Sequence, residues 1–288
     1  MLRQFLHIIR WPNLAMIGVV QGIIYYMLMD TATSILKGID FLVLSFITML
    51  IAGGGYIIND YYDHQIDAVN KPKKWIAGNV WSLQTVFKSY MIVGIVGGLL
   101  SVYLAIKLSL LPFLAIYPVA VGALWMYSYA LKCKPLIGNI WVALFCAGVI
   151  LVIALPDWLT GNDSAIEIHL FYYAAFAFLA TWYREIIKDI EDIEGDRRMG
   201  CKTFVVRFGV RSGKFLALVI VALLVFAVYY WIGIQTKPSM EVALNILQGF
   251  IVTSMAFVWW AKDKTYFYIA SLLIKVVMLL GTIVLLLL

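Results

Sequence analysis

About nine apolar stretches, each of the roughly 17–25 residues that cross the hydrocarbon core of a bilayer, dominate this chain. They run near 13–29, 41–59, 83–106, 110–131, 137–155, 168–187, 215–234, 241–260 and 266–287. In lipid every backbone N–H and C=O must be satisfied internally, which at this length favours helices. Composition agrees: 64% of residues are hydrophobic and 13% charged, with a mean hydropathy of +0.93. A soluble domain carries about 25% charged residues. The expected fold is an all-α polytopic membrane protein of about nine transmembrane helices, with acidic cytoplasmic loop or cap regions. A short break near Leu108–Pro112 predicts a helical hairpin between the third and fourth spans.

Charge sets the expected orientation. With the N-terminus inside, Arg3, Arg10, Lys71, Lys73, Lys74, Lys132, Lys134, Arg197, Arg198, Lys202 and further basic residues fall on the inner side. Only Lys37, Lys107 and Lys237 fall outside. The positive-inside bias therefore predicts a cytoplasmic N-terminus and, with nine spans, an external C-terminus in the plasma (inner) membrane. The net charge of +6 mostly reflects this bias. It suits contact with anionic membrane lipids and is no evidence for nucleic acid. The segment Met1–Arg10 is basic, but no small-residue cleavage site follows the apolar run after Pro12, so that run reads as a first span. Cys133, Cys146 and Cys201 are odd in number and lack metal-ligand spacing, and no disulfide is expected.

Two acidic clusters interrupt the apolar pattern. Asp60, Asp63 and Asp67 are spaced i, i+3, i+7, and so are Asp189, Asp192 and Asp196. On a helix such a triplet spans an arc of roughly 60°. Carboxylates on one face repel unless a cation or solvent screens them. A lone aspartate at a helix end is ordinarily just solvated. Here two clusters match, and each follows an even-numbered span, so both are predicted on the cytoplasmic side, where they can share a ligand. Glu191 and Glu194 fall on the opposite helical face and are expected to meet solvent or a basic partner. Mg²⁺ prefers one or two carboxylates, water and phosphate oxygens to an all-protein cage, so acidic faces with basic neighbours point to a diphosphate.

Each cluster is followed by basic residues: Lys71, Lys73 and Lys74 after the first, Arg197, Arg198 and Lys202 after the second. This repeated order predicts a single domain over 1–288 with a possible internal duplication. Spans one to four would lie in 1–135, spans five to eight in 136–262, and a ninth would be appended at 266–287. The triplet Gly53-Gly54-Gly55 reads first as a site of close helix packing. Lys275 lies about 14 Å into the last span and requires a partner or a cavity.

The segment Asn59-Asp60-x-x-Asp63-x-x-x-Asp67 resembles the first signature of the UbiA-type intramembrane prenyltransferases. Asp192-x-x-x-Asp196, preceded by Asp189, is similar to their second. Tyr127-Ser128-x-x-x-Lys132, followed by Gly138-Asn139, resembles the middle motif of the family. The resemblance covers nearly the whole chain and is nearest to the branch of digeranylgeranylglyceryl phosphate synthases.

The resemblance implies a helical bundle around a central chamber and a Mg²⁺-dependent transfer from a polyprenyl diphosphate donor to a lipid or aromatic acceptor. A prenylglyceryl phosphate is favoured, and 4-hydroxybenzoate is the alternative. Asn59, Asp63, Asp192 and Asp196 are the implied principal metal ligands, with Asp60, Asp67 and Asp189 in support. Lys71, Lys74, Ser128, Asn139, Arg197 and Lys202 are implied in substrate binding. Lys132 and Tyr127 join the aspartates in catalysis, and Tyr61, Tyr62 and Tyr129 are among the rings available to a carbocation. Where many members carry arginine followed by proline, this chain has Lys71 to Ile76 with Trp75 at the proline position, which keeps charge but not bidentate geometry. A transporter or cation channel is the competing class. Its acidic residues belong near mid-membrane, whereas these lie at span ends.

Overall fold

The computed structural model describes residues 2–70, 75–163 and 166–288. Among them the chain is helical, without β-strands: α1 (Leu2–Ile8), α2 (Trp11–Leu28), α3 (Gly38–Asn70), α4 (Leu83–Lys107), α5 (Phe113–Met126), α6 (Ile137–Leu151), α7 (Leu155–Thr160), α8 (His169–Arg198), α9 (Phe204–Gly233), α10 (Pro238–Trp260) and α11 (Lys264–Val284). The break between α4 and α5 lies where the hairpin was predicted. Seven helices among the described residues are long and apolar enough to cross a membrane: α2 to α5 and α9 to α11. The count therefore stops short of nine. At 15 residues α6 is too short, about 22 Å against a core of about 30 Å. α8 has the length, but its tyrosines, Trp182 and charged C-terminal half make it less apolar than the seven.

Both acidic clusters lie on helices, as their spacing predicts, but on continuous transmembrane-length helices rather than in separate loop or cap regions. α3 continues eleven residues past the predicted end of its span, because no glycine or proline interrupts 56–70 and Pro72 is the first breaker. Its 33 residues make a rod of about 50 Å, longer than the apolar core of about 30 Å. The first cluster thus occupies the last turns of a continuous helix, and α8 carries the second cluster in the same way.

The chain packs as two compact units. The first comprises Met1–Tyr25, Thr31–Lys132 and Ile153–Ala165. Here α3 packs against α1, α4 and α5. The glycine triplet explains how. A Cβ on Gly53 would meet Leu14, one on Gly54 would meet Tyr90 and Val93, and one on Gly55 would come within 3.0 Å of Leu124. Three successive positions thus face three neighbours, and the packing reading of the triplet holds. Below it Ile8, Ile57, Ile76, Ala77, Val86 and Val93 form a buried cluster against Phe5, Tyr61 and Tyr90, which anchors α3 just where the acidic motif begins. At 0% exposure, Asp157 of α7 accepts hydrogen bonds from Ser34 (2.7 Å), the Ile35 amide and Asn162.

The second unit comprises Tyr26–Asp30, Cys133–Val152 and Ile166–Leu288. α8 is its hub, in contact with α6, α9 and α11. Leu170, Tyr173, Ala174, Ala177 and Ala180 recur at helical spacing along its buried face. Polar side chains link the helices: Tyr173 with Thr282 (2.6 Å), Tyr183 with Ser254 (3.4 Å), and Trp231 Nε1 donating to His169 (3.1 Å). Such bonds replace solvation that lipid does not supply. α9 breaks at Gly209, whose φ of +86° favours glycine. Lys275 is half-buried in α11.

The cysteines depart from expectation. Cys133 and Cys201 form a disulfide across a sequence separation of 68 residues, where none was expected, and Cys146 is free. The odd count and the spacing argued against any bridge, and only the packing of two loops brings these two of three together.

Candidate active site

In the first unit the site is built on Asp63. Its side chain lies on the buried side of α3, at 4% exposure. Asn59, one turn earlier, donates from Nδ2 to Asp63 Oδ2 at 2.7 Å. Lys132 Nζ donates to the same oxygen and completes an ion pair. Asn59 and Asp63 meet because they are i, i+4 on one helix. Lys132 arrives by a different route. Residues Tyr127–Leu131 form a π-turn at the end of α5, and the Lys132 amide donates to the Tyr127 carbonyl. Such widened turns insert one extra residue and re-aim the side chains beyond it, often at functional sites. The middle motif read from the sequence falls on this turn, with Ser128 buried and donating to the Leu124 carbonyl.

Asp60 faces another way. Its Oδ1 accepts from Arg10 at 2.9 Å, and the Arg10 guanidinium lies 4.6 Å from the Tyr56 ring centroid. Burial works against the Arg10 charge, but Asp60, Tyr56, Asp67 and Asp63 outweigh it and hold its pKa above the usual value. From the sequence Arg10 reads as a charge-bias marker only, and nothing local to it signals a partner 50 residues away. The rings considered for a carbocation largely pack on one another. Trp125 stacks on Tyr129 (5.2 Å) and donates to the Tyr62 hydroxyl, and Tyr62 meets Tyr61 and Tyr129 edge-on.

In the second unit Asp189 is the centre. It keeps some exposed surface, yet its carboxyl group is closely enclosed. Burial pushes its pKa up to about 8. Asn139 opposes this through a hydrogen bond, Asp196 and Glu185 add to it by like charge, and Lys188 opposes it. Asn139 Nδ2 donates to Asp189 Oδ2 at 3.0 Å and is itself buried. Glu185, one turn before Asp189, is buried and binds Arg184 (2.8 Å) and Lys188 (3.4 Å). It lies four residues ahead of the expected motif and was not anticipated. Asp196 is buried and Asp192 half-buried. Glu194 pairs with Arg198 at 2.9 Å, as its position on the far face predicted. Arg197 and Lys202 are exposed, and Lys71 and Lys74 lie outside the described residues.

Among the described residues no three carboxylate, imidazole or thiolate groups converge tightly enough to hold a metal ion by themselves. The donors present nevertheless suit a hard cation that takes one or two carboxylates and fills its shell with water and phosphate oxygens. An enclosed carboxyl group driven up to about 8 with two acidic neighbours is the arrangement a cation would relieve.

The model of the UbiA prenyltransferase family matches residues 19–285. The chain belongs to that family. It is similar to the digeranylgeranylglyceryl phosphate synthase of Pyrococcus abyssi, with 32% identity over 254 residues that cover 86% of each chain. A solved structure described as giving structural and mechanistic insights into digeranylgeranylglyceryl phosphate synthase in membranes aligns over 99% of this chain and 96% of its own, with a TM-score of 0.70 and 22% identity. A UbiA homologue from Archaeoglobus fulgidus bound to DMAPP and Mg²⁺ aligns over 99% of both chains, with a TM-score of 0.63 and 14% identity. At these identities the two structures bear on the fold, and the sequence relatives bear on the family. The protein is thus an integral membrane prenyltransferase of the UbiA family.

Proposed function

We propose that this protein transfers a polyprenyl group from a polyprenyl diphosphate to the hydroxyl of a prenylglyceryl phosphate, with Mg²⁺ as cofactor. The observation that carries the acceptor is the 32% identity to a digeranylgeranylglyceryl phosphate synthase over 86% of both chains. The relative bound to DMAPP and Mg²⁺ supports the donor class and the ion.

Asn59, Asp63, Asp192 and Asp196 are assigned as principal Mg²⁺ ligands, with Asp60, Asp67 and Asp189 supporting them. Mg²⁺ held by these residues would supply positive charge to neutralise the departing diphosphate. Lys132, held by Asp63, supplies a cation to the departing group, with Arg197, Lys202, Lys71 and Lys74 as further sources of positive charge. Tyr127 and Ser128 set the π-turn that aims Lys132, and Asn139 orients Asp189. In the reaction the allylic C1–O bond breaks, the acceptor oxygen bonds C1, the acceptor loses its proton, and diphosphate leaves. α6 and α8 complete a nine-span topology, N-terminus and both acidic faces cytoplasmic, on the strength of the lysine and arginine bias.

The test is turnover by the purified protein with geranylgeranyl diphosphate, Mg²⁺ and either geranylgeranylglyceryl phosphate or 4-hydroxybenzoate. The ether lipid should be the product, and Asp63→Ala or Asp192→Ala should abolish it. Product from the aromatic acceptor alone would reassign the acceptor. Metal flux in proteoliposomes without diphosphate release under any pairing would overturn the transferase reading.

A further inference from the structure

Two short loops meet in the second unit. One, Cys133–Leu136, continues directly from Lys132 and leads into α6. The other, Met199–Thr203, joins α8 to α9. They are tied by the Cys133–Cys201 disulfide and by the Lys202 amide, which donates to the Cys133 carbonyl at 2.9 Å. The Cys201 amide in turn donates to the Asp196 carbonyl at 2.9 Å. The bridge therefore sits one residue from Lys132, one residue from Lys202, and one hydrogen bond from the backbone of Asp196. Lys202 and Asp196 both belong to the acidic motif region of the second unit.

We propose that the Cys133–Cys201 bridge is an exchangeable clamp that positions Lys202 for the diphosphate, so that thiol–disulfide exchange tunes substrate binding. The proposal rests on the prenyl-diphosphate reading above. The compartment argues for exchange. The charge bias puts both loops on the cytoplasmic side, where disulfides are as a rule transient or regulatory rather than static staples. Access argues the same way: Cys201 is buried, but Cys133 is partly exposed and open to attack. Lys132, Lys134 and Lys202 flank the two sulfurs in sequence, and cationic surroundings favour the thiolate through which exchange proceeds. The third cysteine, Cys146, lies within α6 and takes no part.

The step balances with a low-molecular-weight disulfide as oxidant. The Cys133 thiolate attacks its S–S bond and expels one thiol, leaving a mixed disulfide. The Cys201 thiolate then displaces the second thiol and closes the bridge. Both protein thiols have lost their protons, the two of them together have given up two electrons, and one small disulfide has become two thiols. Excess small thiol runs the sequence backwards. With the bridge open, the Lys202–Cys133 backbone hydrogen bond still links the loops, and Lys202 gains freedom that must be lost again when diphosphate binds.

The experiment uses the full-length protein in nanodiscs, equilibrated with glutathione disulfide or reduced glutathione. Maleimide mass tagging should count one reactive cysteine in the first state and three in the second. Amide exchange in the peptide containing Lys202 should accelerate on reduction. KM for the prenyl diphosphate should rise by about fivefold or more, a fraction of a charge-assisted hydrogen bond, with a smaller change in kcat and full reversal on reoxidation. Cys133→Ser/Cys201→Ser should behave as the reduced enzyme in both states, and Cys146→Ser should keep the response. Three reactive thiols in both states would overturn the proposal, as would a bridge whose reduction leaves both Lys202 exchange and KM unchanged. Absence of diphosphate release in either state would sink the transferase reading instead, and the thiol count and exchange rate would still judge the clamp.

Discussion

Replacing Lys132 by methionine tests the site at its most connected point. Methionine keeps most of the side-chain volume and removes the charge. Among the described residues, Asp63, at 4% exposure, would keep only Asn59 as a donor to Oδ2. A hydrogen bond to a charged group is worth about 1.5–3 kcal/mol, and breaking one side of a well-buried ion pair costs about 3–5 kcal/mol. Lys132 keeps 27% of its side-chain surface exposed, so solvent screens the pair and the lower range applies. At about 1.4 kcal/mol per tenfold, the same range spent on diphosphate in the transition state predicts a loss in kcat/KM of about 10- to 150-fold. Lys132→Arg should recover part of it, since it restores charge but not the point geometry of an ammonium. The assay is diphosphate release with thermal unfolding measured in parallel, and Asp63→Asn closes a double-mutant cycle. A coupling of about 1.5 kcal/mol or more between the two sites is expected in stability. If Lys132→Met left kcat/KM within about threefold of wild type while unfolding lost about 3 kcal/mol, Lys132 would be a structural counter-ion and the role argued for it would be wrong.

Asp189 carries a pH signature. In the metal-free protein its pKa stands at about 8, above the ordinary 3.8, so this group contributes stability that is complete below about pH 4 and is lost as pH rises through 8. A cation needs the deprotonated form, so Mg²⁺ binding should release a proton below about pH 8 and strengthen by up to about tenfold per pH unit there. Calorimetry in buffers of different ionisation enthalpy measures it, and Asp189→Asn should flatten the slope. In the first unit Gly97→Ala would drive a Cβ into the Tyr117 hydroxyl and should cost about 1–3 kcal/mol, whereas at Gly98 the nearest Tyr117 atom would be 3.5 Å away. Gly98→Ala should therefore be neutral or mildly stabilising, and equal melting points for the two variants would contradict the packing described.

Much of the site was legible because it is periodic. The aspartate spacing put Asn59 beside Asp63, and the far-face position of Glu194 left it free to pair with Arg198. Nothing around Asn139 in the sequence reveals that its amide turns to Asp189. The sequence reading ended the spans at 59 and 187, because hydropathy falls where charge begins, although the helices continue to Asn70 and Arg198. Backbone hydrogen bonding does not stop at the apolar boundary. In α3 no glycine or proline intervenes between 56 and 70, and α8 runs on through Gly195 to Arg198.

Sequence alone thus determined the helical class, the membrane setting and the register of the two acidic faces, since apolar length and i, i+3, i+7 spacing are local properties of the chain. Tertiary structure decided the partners. Lys132 meets Asp63 across 69 residues, Arg10 meets Asp60 and Asn139 meets Asp189 across 50, and Cys133 meets Cys201 across 68. Contacts at such separations depend on how helices pack, and one residue's identity leaves too many partners open to choose among.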